Sequence, residues 1–157
     1  MKITNRQSVD LNIKASWLAI SKMYNVLGSA HQITHSTGFV LLNIDQENGT
    51  PATKIAPLMG MESRSLSRML KNMEENGVIY RKQDQKDKRK VMICLTEKGK
   101  KQREMARKVV REFNARVRQS VNNEELESFL RVIRCIAGIA EDFRLEDMEI
   151  EKYPEKN

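Results

Sequence analysis

The stretch from Glu62 to Gly77, ESRSLSRMLKNMEENG, restricts the fold of this chain more than any other. Wound at about 100° per residue, Leu66, Met69, Leu70 and Met73 fall on one stripe, and Arg64, Arg68, Lys71 and Glu75 fall on the opposite side. A short amphipathic helix therefore turns two arginines and a lysine outward, flanked by the hydroxyls of Ser63 and Ser67. After Gly77 the pattern changes. VIYRKQ reads as a strand, DQKDKRK as a charged turn and VMICLT as a second strand.

The residues before this unit extend it. Thr50 reads as the cap and Pro51 as the first residue of a preceding helix, with Ile55, Leu58 and Met59 on its buried side. Pro57 falls inside that helix and removes one backbone bond, so the helix must be short or kinked. Gly60-Met61 is a tight turn, and two short helices joined through a glycine turn match a helix-turn-helix. With the strand, basic loop and strand that follow, the layout is a winged helix-turn-helix. The fold class is mainly α with a small β-hairpin wing. Its helix is sized for a major groove, and its loop can reach the adjacent backbone or minor groove. On the second strand, Ile93 and Leu95 face one side and Met92 and Cys94 the other.

Further helices flank this lobe. Val9 to about Ser29 carries Ile13, Trp17, Ile20, Tyr24 and Leu27 near one side. Thr34 caps a helix bearing Phe39, Val40, Leu42 and Ile44, which should end near Asn48-Gly49. Thr96 caps a long helix to about Val121, whose apolar stripe is narrow: Met105, Val109, Val110, Phe113 and Val117. Asn122-Asn123 interrupts it, and Glu124 to about Leu145 forms the last helix. The terminal helices hold more apolar surface than one small winged helix can cover, which argues for two copies joined through them. The expected organisation is a single domain over 1–157. Within it lie dimerisation helices at 9–30 and 122–145, a DNA-binding lobe at 34–100 and a connecting helix at 96–121.

Charge points the same way. The net charge is +7, and from Gly49 to Arg103 14 basic residues face 6 acidic ones, whereas from Glu141 to Asn157 there are 3 basic and 7 acidic. A basic centre of this kind suits a polyanion. Aromatic residues make up 5% of the chain, too few for a surface that stacks single-stranded bases. Cys94 and Cys135 lack metal-type spacing and read as packing residues in a reducing compartment. His31 and His35 have no further ligand types at metal spacing, so no metal site is expected. No apolar run reaches the length of a membrane helix and no signal-peptide stretch opens the chain, so a cytoplasmic protein is expected. Without a nucleophile–base pair, paired carboxylates in an apolar setting or a phosphate loop, neither an enzyme nor a cofactor is expected.

The segments IAPLMGMESRSLSRMLKNMEENGVI and DQKDKRKVMICLTEKG resemble the MarR-type winged-helix transcriptional regulators. Asp84, Asp87, Arg89, Leu95, Thr96 and Gly99 stand at the positions of that family's wing signature, Asp, Asp-x-Arg, a strand and Leu-Thr-x-x-Gly. Pro57 departs from the family pattern. The resemblance implies a homodimer on pseudo-palindromic double-stranded DNA, with the recognition helix in the major groove and Arg89, oriented by Asp87, in or near the minor groove. The residues expected to contact DNA are Ser63, Arg64, Ser65, Ser67, Arg68 and Lys71 on the helix, and Lys86, Asp87, Lys88, Arg89 and Lys90 on the wing. Trp17, Tyr24, His31, His35 and Phe39 read either as core aromatics or as the lining of a pocket for a small aromatic or lipophilic effector, such as members of this family bind. The leading expectation is a dimeric, sequence-specific regulator, a repressor of nearby genes. The alternatives are a winged-helix protein-interaction module and an architectural protein that coats DNA without sequence preference. The ratio of specific to random-site affinity separates them.

Overall fold

The computed structural model describes residues 8–84, 87 and 90–144. Its elements run α1 (Val9–Gly28), α2 (His35–Leu42), β1 (Thr50–Pro51), α3 (Ala52–Met59), α4 (Ser63–Glu75), β2 (Ile79–Gln83), β3 (Val91–Leu95), α5 (Glu97–Ser120) and α6 (Asn123–Asp142), with a 3-10 turn at Ser29–His31. The chain divides within α5 into two compact units, one ending at Glu112 and one beginning at Phe113.

In the first unit, α2, α3 and α4 pack with the sheet around Leu41, Ile44, Ile55, Leu70, Ile79 and Ile93, all fully buried. Each such side chain contributes about 1.5–3 kcal/mol of burial. The sheet is antiparallel in the order β1-β3-β2, with Ile79 opposite Leu95 and Thr50 opposite Ile93. Strand β3 lies in the middle and is paired along both edges, and its second half, Ile93, Cys94 and Leu95, is buried, while Val91 is exposed.

Several local readings change. Thr50 does not cap α3. Its hydroxyl accepts the Asp45 amide at 2.9 Å and donates to the Asn43 carbonyl at 3.2 Å, which holds Thr50-Pro51 extended as a third strand. Helix α2 ends at Leu42, well before Asn48, because the Asp45 carboxylate accepts the amides of Asn48 at 2.7 Å and Glu47 at 3.1 Å and turns the chain there. Those amide bonds, Asn48's first, hold the Asp45 carboxyl below its ordinary range. On α3, Ile55 and Ala56 are buried, but Leu58, expected inside, is 59% exposed. Phe39 also lies outside the core, and Cys135 is exposed on α6.

Other readings match. Thr34 caps α2 as expected, reciprocally with Thr37, and Asn122, expected only to interrupt α5, also caps α6 reciprocally with Glu125. Pro57 sits inside α3, which is only eight residues long. Met105, Val109, Val110, Phe113 and Val117 on α5 are each half-buried. Neither α1 nor α6 buries a large side chain: Gly28 is the single buried residue of α1, and α6 has none. No described helix is long and apolar enough to cross a membrane.

Candidate nucleic-acid interface

Helix α4 is pinned by one face. Leu66, Leu70 and Met73 are buried and Met69 is half-buried, so the opposite face must point to solvent. Ser63, Arg64, Ser65, Ser67, Arg68 and Lys71 are all exposed there. Among the described residues neither Arg64 nor Arg68 has an ion-pair partner, while Lys71 stands 3.8 Å from Glu75 in an exposed pair. Such a pair is worth little in water and yields readily to phosphate. The Ser67 hydroxyl donates to the Ser63 carbonyl at 2.8 Å, which leaves its lone pairs able only to accept. Ser63 is the first helical residue, after Glu62, and no side chain caps this end. The uncapped amides of the first turn are suited to a phosphate.

Three devices fix where α4 ends. Gly77 takes the left-handed conformation at φ 66°, with its N–H donating to Glu74 and that of Val78 to Met73, which closes the helix. The Thr96 hydroxyl donates to the Gly77 carbonyl at 2.7 Å and accepts the Gly99 amide at 3.1 Å, tying the end of α4 to the start of α5. Gly99 must lack a side chain, because a Cβ there would stand 2.1 Å from the Val78 carbonyl oxygen. Leu-Thr-x-x-Gly is thus a clasp that sets the recognition helix against α5. Arg81 on β2 adds a bond to Glu74 at 3.0 Å, joining helix to wing.

At the wing, the Asp84 carboxylate accepts the Asp87 amide at 2.8 Å, and the Asp84 amide donates to the Lys90 carbonyl at 2.9 Å. Asp87 lies 3.6 Å from the Lys90 ammonium. Lys86, Lys88 and Arg89 lie outside the described residues, so the expected Asp87–Arg89 pairing does too. Sequence reasoning placed Asp84 only by its signature position; its turn-forming role has a signal, an aspartate three residues before the amide it accepts. The Glu74–Arg81 pair gave no such signal, since its partners lie on different elements.

The aromatic residues gather at a separate place. His35 stacks on Tyr24 with centroids 5.5 Å apart, meets Trp17 edge-on at 4.8 Å and Phe39 at 6.3 Å. Its amide donates to Asn25 Oδ1 at 2.7 Å, joining α2 to α1. Partial burial pushes the imidazole below its ordinary value. Trp17, His35 and Phe39 line an open cleft of about 1150 Å³ that also reaches Met59, Met61 and Met69. Tyr24, His35 and Phe39 line a small cavity of about 40 Å³ closed by Met105 and Val109. His31 lines neither; its carbonyl accepts from Gln102 at 2.8 Å.

A helix-turn-helix whose second helix exposes a cationic face, followed by a hairpin and a clasp, defines a DNA-binding winged-helix protein. The family model described as the MarR family matches residues 33–91. The chain is 33% identical over 82 residues to the HTH-type transcriptional regulator TtmR of Methylorubrum extorquens, and 34% identical over 85 residues to the organic hydroperoxide resistance transcriptional regulator of Bacillus subtilis. These alignments take in 52% and 54% of this chain, and the chain spans only 42% and 58% of those two relatives' lengths. To the HTH-type transcriptional regulator SarZ of Staphylococcus aureus it is 30% identical over 111 residues, 66% of this chain and 75% of that protein. The chain belongs to the MarR family, a family of transcriptional regulators and not of enzymes. In fold it is similar to the transcriptional repressor CouR bound to a 23-mer DNA duplex, with a TM-score of 0.72 at 23% identity, covering 87% of this chain and 98% of that one. CouR from Rhodococcus jostii bound to p-coumaroyl-CoA gives 0.75 at 17% identity, covering 87% and 96%.

Proposed function

We propose that the protein is a cytoplasmic homodimer that binds a pseudo-palindromic operator in double-stranded DNA, represses nearby genes and is released by a small effector. The observation that carries this reading is the exposed face of α4, where Arg64, Arg68 and Lys71 stand opposite three buried apolar residues. The arginines are suited to guanine edges, each bidentate contact giving about 1–3 kcal/mol of discrimination. The serines and the uncapped first turn are suited to phosphates, which fix register without reading sequence. Lys86, Lys88, Arg89 and Lys90 of the wing would take the adjacent backbone or minor groove, with Asp87 restraining its cationic neighbours.

Dimerisation is supported by the terminal helices, each of which leaves large apolar side chains uncovered in a single chain. Phe129 and Ile139 on α6 are 57% and 58% exposed, and Val26 and Leu27 on α1 are exposed as well. A two-fold dimer would set two α4 helices about one DNA turn, roughly 34 Å, apart. The organisation proposed is a DNA-binding lobe over 34–100, dimerisation helices at 9–30 and 122–145, and a connecting helix at 96–121. The cleft beside the helix-turn-helix supports the effector, and both the DNA-bound and the acyl-CoA-bound CouR agree with such a cycle.

Selection of bound sites from random duplexes tests the reading. It should return two inverted half-sites about 10–10.5 base pairs apart, centre to centre, or a multiple of that. Retention of duplex without any enriched sequence would favour an architectural protein, and no retention at low salt would favour a protein-interaction module.

A further inference from the structure

Resting on the reading of a sequence-specific regulator, we propose that each operator half-site carries two guanines about two base-pair steps apart, one read by Arg64 and one by Arg68. The line of α4 opposite buried Leu66, Leu70 and Met73 runs Arg64, Arg68, Lys71 and Glu75. Four residues at about 1.5 Å each separate the two arginines by roughly 6 Å along the axis. Base pairs stack about 3.4 Å apart, so a helix lying along the groove sets the two contacts roughly two steps apart. Each guanidinium is a fork of donors that matches guanine N7 and O6 together, a pattern no other base presents in the major groove. Ser63, Ser65 and Ser67 beside them are short, and the Ser67 hydroxyl is folded back on the Ser63 carbonyl, so nothing bulky keeps the first two turns from the base edges. Nearby carboxylates do not divert the arginines: Glu74 holds Arg81 at 3.0 Å, Glu75 stands 3.8 Å from Lys71, and among the described residues neither arginine has an ion-pair partner.

The same helix offers little to A·T pairs. Adenine is matched by the amide of Asn or Gln, and the thymine methyl by an apolar side chain. The apolar side chains of α4 are buried or half-buried on its inner face. Its amide, Asn72, lines the cleft behind the helix, and Asn76 after it donates to the Asn72 carbonyl at 2.7 Å and to Asn72 Oδ1 at 3.2 Å. Nor does the readout continue to a third guanine. Lys71 is a point charge without a fork and is shared with Glu75, and Glu75, on the same line, repels the phosphates that flank the groove. The last turn of α4 therefore stays out of the groove, and Lys71 adds affinity for any sequence.

Duplexes selected from a random pool by the full-length protein supply the probes. Each enriched half-site should hold two guanines roughly two steps apart. Replacing either G·C pair by A·T in one half-site should weaken binding about fivefold or more at fixed salt. Arg64→Ala should become indifferent to one of the two replacements and Arg68→Ala to the other, each keeping its sensitivity to the pair that remains. Lys71→Ala should lower affinity for selected and random duplexes by the same factor. All three positions are exposed, and circular dichroism checks that each variant is folded. Enriched half-sites without such a pair of guanines overturn the proposal and leave the regulator reading standing, as does a guanine pair to which both arginine variants stay fully sensitive. A loss confined to the selected duplex in Lys71→Ala overturns the limit of two. Should no sequence be enriched at all, the regulator reading falls, and this assignment falls with it.

Discussion

At Thr96 one hydroxyl serves two helices, donating to the Gly77 carbonyl and accepting the Gly99 amide. Thr96→Val keeps the shape and removes both bonds, so it should cost about 1–2 kcal/mol. Thermal unfolding would register this as a fall of about 2–4 °C per kcal/mol; an unchanged midpoint would remove the clasp from the account. Arg68 differs in kind, since nothing within the described protein holds its guanidinium. Arg68→Ala should leave stability within about 0.5 kcal/mol and relax base discrimination more than it lowers affinity for random duplexes. Equal losses on both would make it a phosphate contact. Thr96 and Gly99 were legible as a signature, but their reason was not, because the Val78 carbonyl that excludes a Cβ at 99 arrives only through the fold.

Among the elements, α4 was the most legible, because one period ran through it without interruption and its buried and exposed faces are chemically distinct. The two faces should respond oppositely to truncation. Leu70→Ala should cost about 2–5 kcal/mol through the cavity it leaves, measured by denaturant unfolding. Arg64→Ala should change stability little and lower DNA affinity. A similar stability loss at both positions would mean that α4 does not present the ridge as described. Less was legible where side chains bond across a loop. Thr50 followed by proline has the pattern of a helix start, but the Asp45 amide and Asn43 carbonyl claim its hydroxyl and convert the dipeptide into β1. Leu58 and Phe39 fit the apolar pattern of their helices, and periodicity cannot tell a core from a cleft wall. The aromatic cluster was half legible: four of its five residues meet around His35, across a spacing that gives no local signal, while His31 turns elsewhere.

For the whole molecule the question is what covers the terminal helices. In one chain Phe129 and Ile139 face water, an arrangement that a second copy would relieve over a self-complementary surface. Phe129→Glu should shift the protein from dimer to monomer in analytical ultracentrifugation and lower operator affinity, although α4 is untouched. A variant that stays dimeric would move the interface elsewhere. The central claim is that the cationic ridge of α4, presented twice, reads sequence and does more than bind charge. Its most direct test is the affinity of the unaltered protein for its selected duplex against random duplexes at one salt concentration. The expected ratio is about 10³ or more; a ratio near one, with both affinities falling together as salt rises, would contradict it.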